Sequence, residues 1–497
     1  MSTISLSLIS HTNVGKTTLA RTLLRQDVGD IRDAPHVTEV STRYTLVESP
    51  EGDRLELWDT PGFGDSARLL RRLRQTGNPL GWFLSQVWDR YTDRPFFSSQ
   101  QAIRNVRDEA DVVLYLVNAS EDPAAAAYVE AEMQVLEWIG KPVIILLNQL
   151  GPPRPGSQEQ EDLRRWSAQL APYHCVRETL AFDAFARCWV QEHVLLDCIA
   201  GLLPPGQQES FGRLALAWRE RNEDVFRRSM AVLARQLSET ALDHQDVPVR
   251  RLGDSARDWL GSVLTGKERT DPVYEQAMTT LAQRLDASVR RATDKLIGLH
   301  GLSGQSAQEI FDRMGSEFAV SEGLDTGKAS LLGAAVSGAL GGLAADLAAG
   351  GLTFGAGALI GGLLGAAGMH GIARAYNLSR GTDSSVIRWS GEFLTNRVTA
   401  AVMRYLAVAH FGRGRGDFVE TEYPAHWRGV VQQEVQRDAA AFARQWSSAN
   451  EVAGTATLAQ NLTPLVTAVA TRVLSALYPD SVRPGPTTAA GRGPVEP

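Results

Sequence analysis

The sequence predicts an α/β domain with a mostly parallel sheet flanked by helices, followed by an all-α half. Three observations carry this. A mostly apolar run, Ile4–Ile9, passes through a tight turn into a helical pattern, Thr18–Leu24. A wholly apolar run, Val143–Leu147, lies far downstream, as a strand covered on both faces requires. Beyond Leu203-Pro204-Pro205-Gly206, apolar residues recur at three- and four-residue steps, the period of a helix with one buried face.

The first turn is a phosphate-binding pattern, Ser10-His11-Thr12-Asn13-Val14-Gly15-Lys16-Thr17. A strand, a tight turn and a helix start aim backbone N–H groups, here those of residues 10–18 including Thr18, and the positive helix end at phosphate oxygens. Lys16 would reach the outer phosphates and the Thr17 hydroxyl would take a magnesium position. The pattern wants glycine where Ser10 stands, so a stiffer or reshaped turn is expected there.

Further residues follow in the order such a site needs. Thr38, in the polar segment Asp33–Val40, is placed to sense the γ-phosphate through the metal. Two alternating strands, Thr42–Val47 and Leu55–Trp58, flank the turn cluster Ser49–Asp53. The second ends in Asp59-Thr60-Pro61-Gly62, where Asp59 can hold the magnesium shell and the Gly62 N–H can meet the γ-phosphate.

On these residues the chain resembles the TrmE–Era branch of translation-factor-like P-loop GTPases. Asn13 stands where that branch has asparagine in its Asn-(Val/Ala)-Gly-Lys loop, and Pro35-His36-Val37-Thr38 parallels its Pro-Gly-Thr-Thr switch. The resemblance implies that Asn13 either binds potassium in place of an arginine finger or braces the loop. Phe63 follows Gly62, where Ras-like enzymes keep a water-orienting glutamine. A phenyl ring cannot polarise water, so slow intrinsic turnover is expected; the other reading of Phe63 is packing beneath a mobile switch.

Base recognition is less explicit. Asn148-Gln149-Leu150-Gly151 follows the apolar strand where Asn-Lys-x-Asp is expected. Gly151 cannot accept from a guanine edge and Gln149 is neutral, so only Asn148 is retained and GTP-versus-ATP preference stays open. Leu180–Asp183 is the place for the loop that completes the base pocket.

Taken along its length, the chain resembles the bacterial GTPases whose C-terminal half is a domain of unknown function, family 3482. The shared features are the His-Thr-Asn loop, the degenerate base motif, Phe182-Asp183-Ala184, a helical region and a Gly/Ala-rich stretch. The resemblance implies the fold and GTP binding; the expected activity is magnesium-dependent hydrolysis of GTP to GDP and phosphate, run as a switch, and the expected downstream role is control of a membrane-proximal event or a protein effector. Potassium at Asn13 is a candidate second cofactor, and a dimer through the G domain is a candidate assembly. Two rivals remain at this stage: an RNA-linked GTPase of ribosome assembly or tRNA modification, and a non-hydrolysing module holding nucleotide as a structural ligand.

Net charge is −7 with a pI near 5.8, which argues against a nucleic-acid surface. Cys175, Cys188 and Cys198 lack metal-ligand spacing and suit reduced cytoplasmic thiols. No signal peptide precedes the first strand, so a cytoplasmic protein is expected, with a peripheral or integral place at the inner membrane as the alternative.

The expected layout is a G domain over 1–205, a helical region over 206–328, an apolar hairpin over 329–374, a helical region over 375–480 and a disordered tail over 481–497. An insertion at about 66–105 carries Trp82, Phe83, Trp88, Tyr91, Phe96 and Phe97, read as either a partner surface or a cover for an apolar edge. Asp122-Pro123 suits a helix start, with the helix running to Gly140. Between Lys328 and Arg374 only Asp346 is ionised, and the Gly338/Gly342 and Gly357/Gly361/Gly365 spacings put flat faces on helices. Gly350-Gly351 leaves about 20 residues on either side, the length that spans a bilayer. The two readings are a membrane-entering hairpin and a tightly packed buried one.

Overall fold

The computed structural model describes residues 1–11, 14–25, 41–74, 80–81, 84, 93–150, 156–184, 188–248, 272–302, 376–380, 384–411, 425–449 and 454–479. It divides into two compact units. The first is Met1–Glu223 with Ala409–Thr421 and Leu474–Pro497; the second is Asp224–Val408 with Glu422–Val473.

The first unit is built on a six-stranded sheet. Its strands are β1 (Thr3–Ser10), β2 (Thr42–Glu48), β3 (Arg54–Asp59), β4 (Val112–Asn118), β5 (Val143–Asn148) and β6 (Val176–Ala181), in the order β2-β3-β1-β4-β5-β6. Only β2 runs antiparallel, as the short turn joining it to β3 dictates. Successive side chains of the central strands enter opposite cores. Val112, Leu114 and Leu116 pack with Leu19, Leu195 and Trp218, whereas Val113, Tyr115 and Val117 pack with Leu69, Ile103 and Met133. Covering on both faces is why β4 and β5 are apolar up to their last residues rather than alternating.

The helices of this unit are α1 (Lys16–Leu24), α2 (Ser66–Leu73), α3 (Arg94–Asp108), α4 (Ala127–Ile139), α5 (Gly156–Leu170), α6 (Trp189–Leu202) and the first part of α7 (Pro205–Leu242). The expected helix start at Asp122-Pro123 is corrected. The Asp122 carboxylate accepts from Ala124 N–H and its carbonyl from Ala125 N–H, closing a turn, so α4 begins four residues later. Its far end is as expected, with Gly140 in the left-handed conformation at φ 75°.

Of the insertion's aromatics, Phe96 is buried, with the guanidinium groups of Arg68 and Arg72 4.7 and 5.2 Å from its ring centre. This is the edge-covering arrangement for that residue. Phe97 is half-buried, while Trp82, Phe83, Trp88 and Tyr91 lie outside the residues whose side chains are described.

The second unit is largely helical, with the remainder of α7, α8 (Pro272–Leu299), α9 (Gly391–Ala409), α10 (Ala425–Arg437), α11 (Ala439–Ser448) and α12 (Thr455–Leu477). The stripes read from the sequence are its core: Met230, Leu233 and Leu237 are buried, as are Val431, Val435, Phe442 and Trp446. It also holds a small antiparallel sheet, order β7-β9-β8, made of β7 (His244–Pro248), β8 (Tyr376–Arg380) and β9 (Ser384–Trp389). Two of these strands are five residues long and largely polar, too short to show a period. Among the described residues no helix is long and apolar enough to cross a membrane. The 329–374 hairpin and the 481–497 tail lie outside the described residues.

One ion pair closes the β2–β3 turn. The Asp53 carboxylate accepts from Ser2 N–H at 2.8 Å and from Arg213 Nε of α7 at 2.8 Å, and these contacts hold it below the ordinary value of 3.8. A carboxylate lowered on folding contributes stability that is complete above its unfolded pKa and is lost as pH falls through the folded one. Arg213→Ala should therefore lower the Tm at neutral pH. The gap to the native protein should close as pH drops below 3.8, which thermal melts across an acid series will measure.

Candidate nucleotide site

The site lies at the C-terminal ends of β1, β3, β5 and β6, where an open α/β sheet leaves a crevice. Gly15 ends the loop after β1 and caps α1 at φ 97°. Only glycine suits that backbone, and a Cβ there would stand 2.7 Å from Asn148 Nδ2. The first intrahelical bond runs from Leu19 N–H to Gly15 O, so the N–H groups of Lys16, Thr17 and Thr18 precede the helix ladder and face its open end.

Ser10 supplies something that glycine could not. Its hydroxyl accepts from Lys16 Nζ at 2.9 Å and donates to the His11 carbonyl, which also accepts from Nζ at 3.4 Å. The loop is thus tightened by a side chain rather than relaxed by a missing one. Lys16 is 8% exposed, and its pKa is lowered by burial, against the opposing pull of Asp59 and Glu132. Asp59 is 2% exposed and its carboxyl is raised by burial. One Asp59 oxygen accepts from Thr17 Oγ1 at 2.8 Å; the other, Oδ1, is buried with no hydrogen-bond partner among the described residues. A hydroxyl and a carboxylate with one unsatisfied buried oxygen are the hard oxygen donors a magnesium ion takes, so the residues fit that metal. Among the described residues no cluster of three or more His, Cys, Asp or Glu forms a metal site.

Asn148 joins three segments. Its Nδ2 donates to Val14 O at 2.6 Å, and its Oδ1 accepts from Ala184 N–H at 2.7 Å, tying the phosphate loop to the loop after β6. Next to it, Gln149 takes φ 58°, and Leu150 N–H donates to the Asp183 carboxylate at 2.8 Å. The Leu180–Asp183 stretch singled out in the sequence therefore meets the degenerate base motif; Gly151 lies outside the described residues.

The segment after Asp59 is stitched to the loop. Thr60 Oγ1 donates to Leu8 O at 2.5 Å, Phe63 N–H donates to Ser10 O at 3.0 Å, and His11 and Phe63 form an isolated parallel bridge. The Phe63 ring is wholly buried in the cluster that includes Ile9, Leu69 and Phe96, the packing role named in the sequence. Gly64 seats so closely that a Cβ would meet Pro95 at 2.5 Å. Asp65 then caps α2, accepting from Arg68 N–H.

Of the residues predicted for the site, the structure brings together Ser10, His11, Val14, Gly15, Lys16, Thr17, Thr18, Asp59, Gly62 and Asn148 on these adjoining loops. Thr12, Asn13 and Thr38 lie outside the described residues. The His11 side chain points to Glu132 of α4, with Nδ1 2.7 Å from Oε1, and stacks on Tyr128 with ring centres 4.3 Å apart. Glu132 is a residue that the sequence reading missed. Its signal was one acid within the apolar stripe Val129, Glu132, Met133, Leu136, which on a helix is a single buried face.

Sheet order, loop and Asp-Thr-Pro-Gly turn define a GTP-binding domain of the P-loop GTPase class. A family model described as a 50S ribosome-binding GTPase matches residues 5–149. A second, described as a domain of unknown function (DUF3482), matches residues 169–463, and the chain belongs to that family. Among solved structures it is similar to Era in complex with MgGDPNP and nucleotides 1506–1542 of 16S ribosomal RNA, at 19% identity and a TM-score of 0.31. A point variant of Aquifex aeolicus Era bound to GDP·AlF4⁻ gives the same figures. The match covers 41% of this chain and 58% of each Era chain, so it spans little more than half of those relatives. A bacterial selenocysteine-specific elongation factor matches at 16% identity and a TM-score of 0.25, over 37% of this chain and 26% of its own. No curated protein matches the chain.

Asn148→Ala strands the Val14 carbonyl and the Ala184 N–H inside the fold. It should lower the unfolding free energy by about 2–4 kcal/mol, on the usual cost of buried unpaired groups. Asn148→Asp keeps the acceptor for Ala184 but sets oxygen against the Val14 oxygen, and should cost as much. Denaturant titration of both variants checks this.

Proposed function

We propose that this protein is a magnesium-dependent GTPase that runs slowly as a switch, cleaving GTP to GDP and phosphate. The observation that carries the reading is the paired frustration of Lys16 and Asp59. A cation at the start of α1 and a carboxylate at the end of β3 are both buried, each penalised by burial. A phosphate chain with a hard cation supplies the missing charge to both.

In this reading Lys16 swings from Ser10 Oγ and His11 O to the outer phosphate oxygens, and the N–H groups at the start of α1 hold the inner ones. Thr17, Thr38 and Asp59 would hold magnesium, which when bound would neutralise the charge developing on the phosphates. Gly62 N–H meets the γ-phosphate. Water attacks the γ-phosphorus, the bond to the β–γ bridging oxygen breaks, and the attacking water's proton is released with the phosphate. With Phe63 turned into the core, no side chain of that residue orients the water, which supports slow turnover. Asn13 is the residue we assign to potassium, whose charge would serve there in place of an arginine.

Lys16→Ala should weaken GDP and GTP binding by about 100-fold, the scale of a lost charged contact. Calorimetry on the folded variant showing native affinity would remove the basis of the reading.

The downstream role we propose is control of a membrane-proximal event through 329–374, supported by its length, its glycine spacing and its near-absence of charge. Purified protein should float with liposomes in one nucleotide state more than in the other. Equal recovery from the soluble fraction with GDP, with a non-hydrolysable GTP analogue and with neither would overturn this role.

A further inference from the structure

Glu132 is wholly buried on α4, and a buried carboxylate is tolerated only when its lone pairs are used. Three elements use them. Oε2 accepts from Tyr115 Oη of β4 at 2.6 Å. Oε1 accepts from Ser66 Oγ at 2.5 Å and faces His11 Nδ1 at 2.7 Å. Tyr115 is a fixed donor, since burial and the Glu132 charge raise its phenol well above the ordinary value.

The partners sharing Oε1 are not equivalent in what they can do. His11 belongs to the phosphate loop, and its carbonyl holds Lys16. Ser66 is the first residue of α2, at the end of the segment that begins with Gly62. That segment also reaches the loop through Phe63 N–H and Ser10 O. One carboxylate oxygen therefore receives a donor from each of the two pieces of chain that a γ-phosphate would contact, while the other oxygen is pinned to the sheet. Tyr128 stacks on the outer face of the His11 ring and donates to Glu121 at 2.8 Å, which limits the ring to that orientation.

We propose that Glu132 is a positioning residue that couples the segment after Gly62 to the phosphate loop. When Ser66 moves with that segment, Oε1 is left to His11 alone, and the loop carbonyl that steadies Lys16 shifts with the ring. The site thereby distinguishes nucleoside diphosphate from triphosphate through a carboxylate that touches neither. This inference rests on the nucleotide-switch reading given above.

The test measures affinities for GDP and for a non-hydrolysable GTP analogue and reads their ratio. Ser66→Ala and His11→Phe, the latter keeping the stack on Tyr128, should each change the ratio by about tenfold, the scale of one lost hydrogen bond to a buried carboxylate. Ser66→Thr, which restores the hydroxyl, should keep the native ratio. In a Glu132→Gln background Ser66→Ala should have a smaller effect than in the native protein, because a neutral amide oxygen is a weaker acceptor than the carboxylate. A residue that only supports the fold would move both affinities together and leave the ratio alone. The coupling is overturned if folded Ser66→Ala protein keeps the native ratio, or if its effect adds in full to that of Glu132→Gln. Should Glu132→Gln fail to fold, the Ser66 and His11 variants still decide the matter. Loss of all binding in the native protein would instead sink the nucleotide reading itself.

Discussion

The carboxamide of Asn148 is the contact on which the site's geometry depends. It spans the ends of three parallel strands, giving its N–H to the loop after β1 and taking one from the loop after β6. A parallel sheet fixes strand ends in space but leaves the loops beyond them undetermined, since each loop is longer than the gap it bridges. One side chain with both a donor and an acceptor closes that freedom. It does so where Gly15 leaves room for nothing larger, so the brace ties the end of the first loop and the start of α1 to the loop after β6.

Beside these loops the molecule accepts charges it would elsewhere exclude. Lys16, Asp59 and Glu132 are all nearly or fully buried, and desolvation of each opposes folding. They are arranged in two ways. Glu132 is satisfied from within, by a tyrosine, a serine and a histidine. Lys16 and Asp59 are satisfied only in part, through Ser10, His11 and Thr17, and Asp59 keeps one oxygen without a partner among the described residues. Complete satisfaction marks a structural centre, and incomplete satisfaction marks a place for a ligand. The two kinds sit side by side here, which is how a binding event can be felt by the scaffold.

Much of this was legible in the residues. In the first unit β1 and β5 follow from apolar runs and β2 and β3 from alternation, while β6, partly exposed and partly polar, follows from neither; the loop and Asp-Thr-Pro-Gly turn place Lys16, Thr17 and Asp59 directly. What escaped was what side chains do across distance. Ser10 read as a departure from pattern, yet its hydroxyl is an acceptor for Lys16. His11 read as one more loop residue, although its ring turns away to a helix far along the chain. Asp122-Pro123 matched a helix start by residue type, but the aspartate's oxygens were taken by its own turn. The small sheet of the second unit is too short and polar to have a period. Local chemistry and periodicity are written in neighbouring letters; partners across the fold are not.

The seating of Gly64 against Pro95 has a mechanical corollary. With no gap between that backbone and the start of α3, the peptide behind Phe63 already rests against a wall. It has no travel left toward Pro95, so any displacement of this stretch leads away from the start of α3. Directionality of that kind needs no hinge or spring; the absence of a single methyl group is enough to set it.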